Sequence, residues 1–112
     1  MIYYADTEAA DLRREFERQV MDWRGVTSRR MLGCPAYLVD GKLFAFLVTG
    51  GIVITQVRKR DREELNKTHT TGPFRAGERE IDRWLQVQVD SLERIERVML
   101  MVKKSYDTVR NY

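Results

Sequence analysis

The residues best suited to chemistry in this sequence are one cysteine, one histidine and two groups of cations. Cys34 comes shortly after Arg29 and Arg30, and nearby positive charge lowers a thiol's pKa and makes it nucleophilic. A thiol enzyme also needs a base, and the single imidazole, His69, lies in a polar stretch far along the chain. Nothing in the spacing requires the two to meet. A packed thiol is the stronger reading, with Cys34 kept as the candidate reactive thiol or redox sensor. One Cys and one His do not make the usual transition-metal site. Gly50-Gly51 lacks the strand-to-helix setting and the Lys-Ser/Thr signature of a phosphate loop. The carboxylates Glu63, Glu64, Glu78 and Glu80 sit among polar neighbours, and no pair has the apolar context that acid–base work needs. The expectation is a non-enzyme with no metal and no cofactor.

The second group of cations is Arg58, Lys59, Arg60 and Arg62, with Arg29 and Arg30 expected beside it at a sheet edge. These side chains are the candidate contact for a partner or for nucleic-acid phosphates. Between Arg58 and Glu64, however, four basic side chains face three acidic ones, and no aromatics interleave to stack on bases. The whole chain carries 20 Lys and Arg against 17 Asp and Glu, a net +3. That is far from the basic stripe of a dedicated nucleic-acid binder. Nucleic-acid contact is compatible with this pattern but not favoured.

The elements that position these residues are legible in the pattern. Ala9, Leu12, Phe16, Val20 and Trp23 recur at steps of three and four, which predicts a helix from about Asp6 to Trp23. Asp6 or Thr7 would cap it, and Gly25 would end it. Residues 28–32 read as a short strand, interrupted by Gly33-Cys34-Pro35. Residues 36–39 and 42–48 flank Asp40-Gly41, a two-residue hairpin turn, and Gly50-Gly51 precedes a strand over 52–57. Asp61 to Glu64 resembles a capping box on a short helix through Lys67, with Leu65 facing inward. Residues 68–72 and 75–80 read as polar loops, and 84–89 alternates as a strand. Asp90, with Glu93 as its reciprocal partner, would cap a last helix carrying Leu92, Ile95, Met99, Val102, Tyr106 and Val109 on one face. Runs of strands with helices at the ends indicate an α+β two-layer sandwich, an antiparallel meander sheet packed by N- and C-terminal helices.

At 112 residues, 43% hydrophobic and 33% charged, the chain fits one globular domain over residues 1–112. The longest apolar run, residues 43–48, is too short to cross a membrane, and no secretion signal opens the chain. With a single cysteine, which cannot pair within the chain, these features predict a cytoplasmic protein. If Asp40-Gly41 is the turn, Tyr37 opposes Phe44 and Ala36 opposes Ala45. One sheet face then carries Tyr37, Val39, Phe44, Phe46 and Val48. The other carries Ala36, Leu38, Leu43, Ala45, Leu47 and Ile54. Both faces are apolar, so the second needs a helix or another subunit to cover it. This makes Leu38, Leu43, Leu47 and Ile54 the candidate interface of a homodimer. Small Ala36 and Ala45 allow the alternative, a closely packed helix.

The stretch RRMLGCPAYLVDGKLFAFL resembles the segment that marks the N-terminal domain of the TfoX/Sxy competence regulators. Met31, Gly33, Tyr37, Gly41, Phe44 and Ala45 fit its pattern. Gly72-Pro73-Phe74 is similar to the family's Pro-Phe turn, and RWLQVQVD to its Trp-led strand. The likeness covers most of residues 28–110. It implies an α+β fold related to secretion chaperones and a non-enzymatic regulatory role through a protein partner, whose identity it leaves open. Leu32 stands where Phe is commoner, which reads as a mild core substitution. Full-length competence regulators carry a further helical domain beyond the point where this chain ends.

Overall fold

The computed structural model describes residues 3–111. Its elements run α1 (Ala10–Val20), β1 (Val26–Met31), β2 (Cys34–Val39), β3 (Lys42–Val48), β4 (Gly51–Ile54), α2 (Lys59–Asn66), β5 (Thr71–Ala76), β6 (Arg79–Gln88), a 3₁₀ turn (Leu92–Arg94) and α3 (Ile95–Arg110). All six strands form one antiparallel sheet in the order β1-β2-β3-β4-β6-β5. The fold is α+β, with an N-terminal and a C-terminal helix flanking the sheet.

The first hairpins close through two-residue turns whose central residues both have positive φ, a conformation that glycine and aspartate accept readily. Asp40 (φ 53°) and Gly41 (φ 76°) make the expected two-residue turn. Leu32 (φ 55°) and Gly33 (φ 78°) make another, which joins β1 to β2 where a break was expected. Pro35 lies inside β2, opposite Arg30. Leu32 is therefore no core residue: it is 54% exposed at the tip of a turn.

The β2–β3 register departs from the simple hairpin. Val39 opposes Lys42 and Leu38 opposes Leu43, but Tyr37 then opposes Ala45 and Ala36 opposes Phe46. Phe44 is the extra residue of a bulge, and beyond it every β3 side chain changes face. Tyr37, Ala45, Leu47, Ile52 and Ile54 consequently share one face, while Ala36, Leu38, Leu43, Phe46 and Val53 share the other. The expected set of Leu38, Leu43, Leu47 and Ile54 is thus split between two faces. No turn signal marks such a bulge in the sequence.

The helix layer covers the Tyr37 face. Phe16 of α1 packs on Tyr37 at 4.8 Å between ring centroids, and Trp23 and Tyr106 close around Phe44. Ser105 of α3 donates to the Phe44 carbonyl (2.8 Å) and accepts from the Gln56 amide (3.2 Å), drawing α3 against β3. Over the other face Phe46 meets Phe74 and Trp84, and Tyr3 packs on Phe74. The covering material there is the chain's own β5–β6 hairpin and N-terminal segment.

That hairpin was expected as loops followed by a short strand. β5 contains Gly and Pro, which an edge strand tolerates and a central one does not. Between Pro73↔Leu85 and Phe74↔Ile81 three β6 residues, 82–84, have no β5 partner. Helix ends also differ from expectation. α1 starts at Ala10 with Ala9 at its N-cap and no side-chain cap; Asp6, expected as a cap, pairs with Arg30. α2 begins at Lys59, and Asp61, read as its cap, pairs with Lys104. Ser91, not Asp90, accepts from the Glu93 amide.

Candidate functional site

Cys34 is the first residue of β2, directly after the Leu32-Gly33 turn, and it is fully buried. Arg30 fastens this corner from outside. Its guanidinium donates to the Gly33 carbonyl (2.8 Å), pairs with Asp6 (3.2 Å) and lies 5.9 Å over the Tyr4 ring. The thiol's polar contact is with the Leu32 carbonyl at 3.8 Å. Burial pushes the Cys34 thiol up from its ordinary pKa, and Arg30 only partly opposes this. A raised pKa is the reverse of what a nucleophilic thiol requires. His69 is engaged elsewhere, with Thr68 Oγ1 and the Arg94 carbonyl, each at 2.9 Å. Beneath the corner Tyr37 donates to Glu17 at 2.6 Å, and burial drives its phenol pKa upward. The Tyr4 hydroxyl is the one buried side-chain polar atom without a hydrogen-bond partner among the described residues.

The two groups of cations do not meet. Arg29 and Arg30 lie on β1, at one edge of the sheet, whereas α2 packs against α3 and β5, toward the opposite edge. Arg62 donates to the Arg83 carbonyl at 2.8 Å, within the part of β6 that lacks a β5 partner. It is a tether for the bulged strand. Arg58, Lys59 and Arg60 are exposed at the start of α2 and make no ion pair among the described residues. Leu47 and Ile54 are fully buried within the chain, and Leu38 is only 4% exposed. Leu43 alone of that set keeps appreciable side-chain surface.

The outer surface of the helix layer went unread in the sequence. Leu100 of α3 is the most exposed large apolar side chain among the described residues, at 64%; Leu32 at its turn follows, then Leu92 and Met21. Leu100 forms a ridge between two concavities. One lies between α1 and α3, with Trp23 and Met99 beside Arg18, Glu96 and Lys103. The other runs along α3 past Arg94 and Arg97 to Thr68 and His69. Lys103 reaches across Trp23 and Tyr106, 5.5 Å and 5.1 Å from their ring centroids, and keeps the first groove's aromatic wall in place. The available signal was an off-stripe leucine: Leu100 follows Met99 directly and falls on the polar side of the helix.

Among the described residues no group of three His, Cys, Asp or Glu side chains could hold a metal ion. No helix is long and apolar enough to cross a membrane. What the fold presents is a helix-on-sheet domain with a closed thiol corner and an apolar ridge on its helices. The chain belongs to the TfoX N-terminal domain family, whose model matches residues 18–109. No curated protein and no solved structure matches it.

Proposed function

We propose that this chain is a non-enzymatic regulatory module that acts by binding a protein partner on its helix layer. The observation that carries this reading is Leu100, a leucine exposed over most of its surface between two grooves. Flanked by concavities with polar rims and an aromatic wall at Trp23, it has the form of an apolar centre within a polar surround. The rims hold Arg18, Arg94, Arg97 and Lys103 with Glu93 and Glu96; Arg18 and Lys103 already pair with Glu15 and Asp107, while Arg94 and Arg97 make no ion pair among the described residues. The partner suited to it is an amphipathic helix with acidic flanks, seated between α1 and α3. A secretion-chaperone-like fold, a single cytoplasmic domain and the TfoX-type regulatory role belong to the same reading.

The test is capture from native lysate with and without nuclease treatment, comparing the wild type with Leu100→Asp and with Arg58→Glu/Arg60→Glu. A protein retained by the wild type and the double variant, but lost with Leu100→Asp, supports the ridge. Equal retention by Leu100→Asp overturns it. Self-association that depends on Leu100, seen by sedimentation, would replace the foreign helix with a second copy. A second reading, salt-dependent nucleic-acid binding, rests on the exposed cations Arg58, Lys59 and Arg60; in that case only the double variant loses material, and nuclease removes it.

A further inference from the structure

β5 contains a glycine that neither backbone geometry nor packing demands. Gly51 shows what such a demand looks like: a Cβ there would lie 2.8 Å from the Val87 carbonyl oxygen. At Gly72 an added Cβ meets nothing within 4 Å, and φ lies outside the left-handed region. Glycine inside a strand loses backbone entropy and packs nothing, and it often marks a place where a ligand approaches closely. The space over Gly72 is a cleft of about 570 Å³, within the range of small-molecule sites, roughly 300–1,000 Å³.

What the missing side chain uncovers is specific. Gly72 stands directly opposite Gln86 in the register, so the two share a face, and any larger residue at 72 would cover Gln86. The Gln86 amide is half-buried and has no hydrogen-bond partner among the described residues, whereas the neighbouring Gln88 amide donates to Asp90 at 2.6 Å. A primary amide lining a cleft with no protein partner offers a donor and an acceptor in one plane. Tyr3 lines the same space, its ring against Phe74 and its hydroxyl fixed by the Gly77 amide at 2.8 Å. Arg75 also lines the space; its side chain is 66% exposed and, among the described residues, its guanidinium is held only by Glu80 at 3.8 Å.

We propose that the Gly72 cleft binds a small planar anion whose donor–acceptor edge pairs with the Gln86 amide and whose charge meets Arg75, the chemistry of a mononucleotide. An amide matches the paired donor and acceptor of a base edge, an aromatic wall suits a planar ring, and an available guanidinium suits a phosphate. This inference is independent of the helix-layer reading, because the cleft lies at the β5 edge and includes no residue of the Leu100 ridge.

The test titrates AMP, GMP, CMP and UMP into the full ¹⁵N-labelled chain, with ribose 5-phosphate as the control. At least one nucleotide is expected to bind with Kd below about 1 mM and to shift the Gly72 and Gln86 resonances. Gly72→Leu and Gln86→Leu should each weaken binding by about tenfold or more. Arg75→Gln should weaken it less and flatten its salt dependence. Thermal unfolding checks that each variant is folded; if Gly72→Leu is not, Gln86→Leu carries the test. Ribose 5-phosphate binding as tightly as the nucleotides would overturn the role of Gln86. The absence of any shift at the cleft, or unchanged binding by folded Gly72→Leu and Gln86→Leu, would overturn the site.

Discussion

The Cys34 corner and the Gly72 cleft lie at opposite edges of one sheet and are finished in opposite ways. At the corner the thiol is buried, Arg30 holds the turn and Tyr37 is matched by Glu17. At the cleft a glycine stands where an added Cβ would meet nothing within 4 Å, and the amide opposite it has no partner among the described residues. The corner holds the residue types usually associated with chemistry, a cysteine and arginines, yet their contacts are those of structure. The cleft holds Gly, Gln and Tyr, which draw little notice in a sequence. The capacity for binding in this fold is set by which groups the packing leaves open to solvent within a concave surface.

The largest effect that separates closed from open sites is expected at the two strand glycines. Gly51→Val drives a Cβ into the Val87 carbonyl, and overpacking of this kind costs about 3 kcal/mol, enough to unfold a marginal domain. Gly72→Val meets no obstacle, so relief of unfolded-state entropy should stabilise the chain by about 0.5–1 kcal/mol. Denaturant unfolding of both variants measures this. A loss at Gly72 as large as that at Gly51 would mean that the cleft glycine serves packing after all.

Alkaline pH provides the next contrast. Burial, and then the hydrogen bond to Glu17, raise the Tyr37 pKa above its ordinary value; burial raises Cys34. At pH values between the unfolded and folded pKa of such a group, the native state keeps a proton that the unfolded chain has released. The unfolded state then binds fewer protons, so stability falls as pH rises. Each group's contribution is complete below its unfolded pKa. Cys34 starts to lose its share above about pH 8.5 and Tyr37 above about pH 10, each at a slope approaching about 1.4 kcal/mol per pH unit. Cys34→Ala should remove the first slope and Tyr37→Phe the second. A stability that stays flat through both ranges in the wild type would show that these hydroxyl and thiol groups reach water.

These contrasts also show what could be read from the residues alone. The α3 stripe from Ile95 to Val109, Leu65 facing inward and the Asp40-Gly41 turn are local patterns, and they are found where the spacing puts them. The bulge at Phe44 is a sheet property with no local sign, and it changed the face of Ala45, Leu47 and everything after them in β3. β5 was hidden because Gly72-Pro73 reads as a turn until its edge position is known. The expectation that Arg29 and Arg30 join the Arg58 group needed the strand order, which puts them at different edges. Leu100 and Gln86 carry no signature of their own. Their significance lies in what is missing around them, and only packing reveals that.

The smallest expected change in stability comes from the substitution that best separates a structural corner from a reactive one. Arg30 is more than half exposed, so its pair with Asp6 and its bond to Gly33 are worth about 0.5 kcal/mol together, and Arg30→Ala should barely move the melting temperature. Its effect on Cys34 alkylation discriminates by sign. If the corner is a closed lid over an inert thiol, modification waits for local opening, and loss of the arginine clamp makes it several-fold faster. If instead Arg30 activates the thiol, removing its charge raises the thiol pKa further and slows the reaction. Iodoacetamide labelling followed by mass spectrometry distinguishes the two. A faster reaction with an almost unchanged melting temperature is the expected outcome, and a slower one would restore Cys34 as a nucleophile tuned by its neighbour.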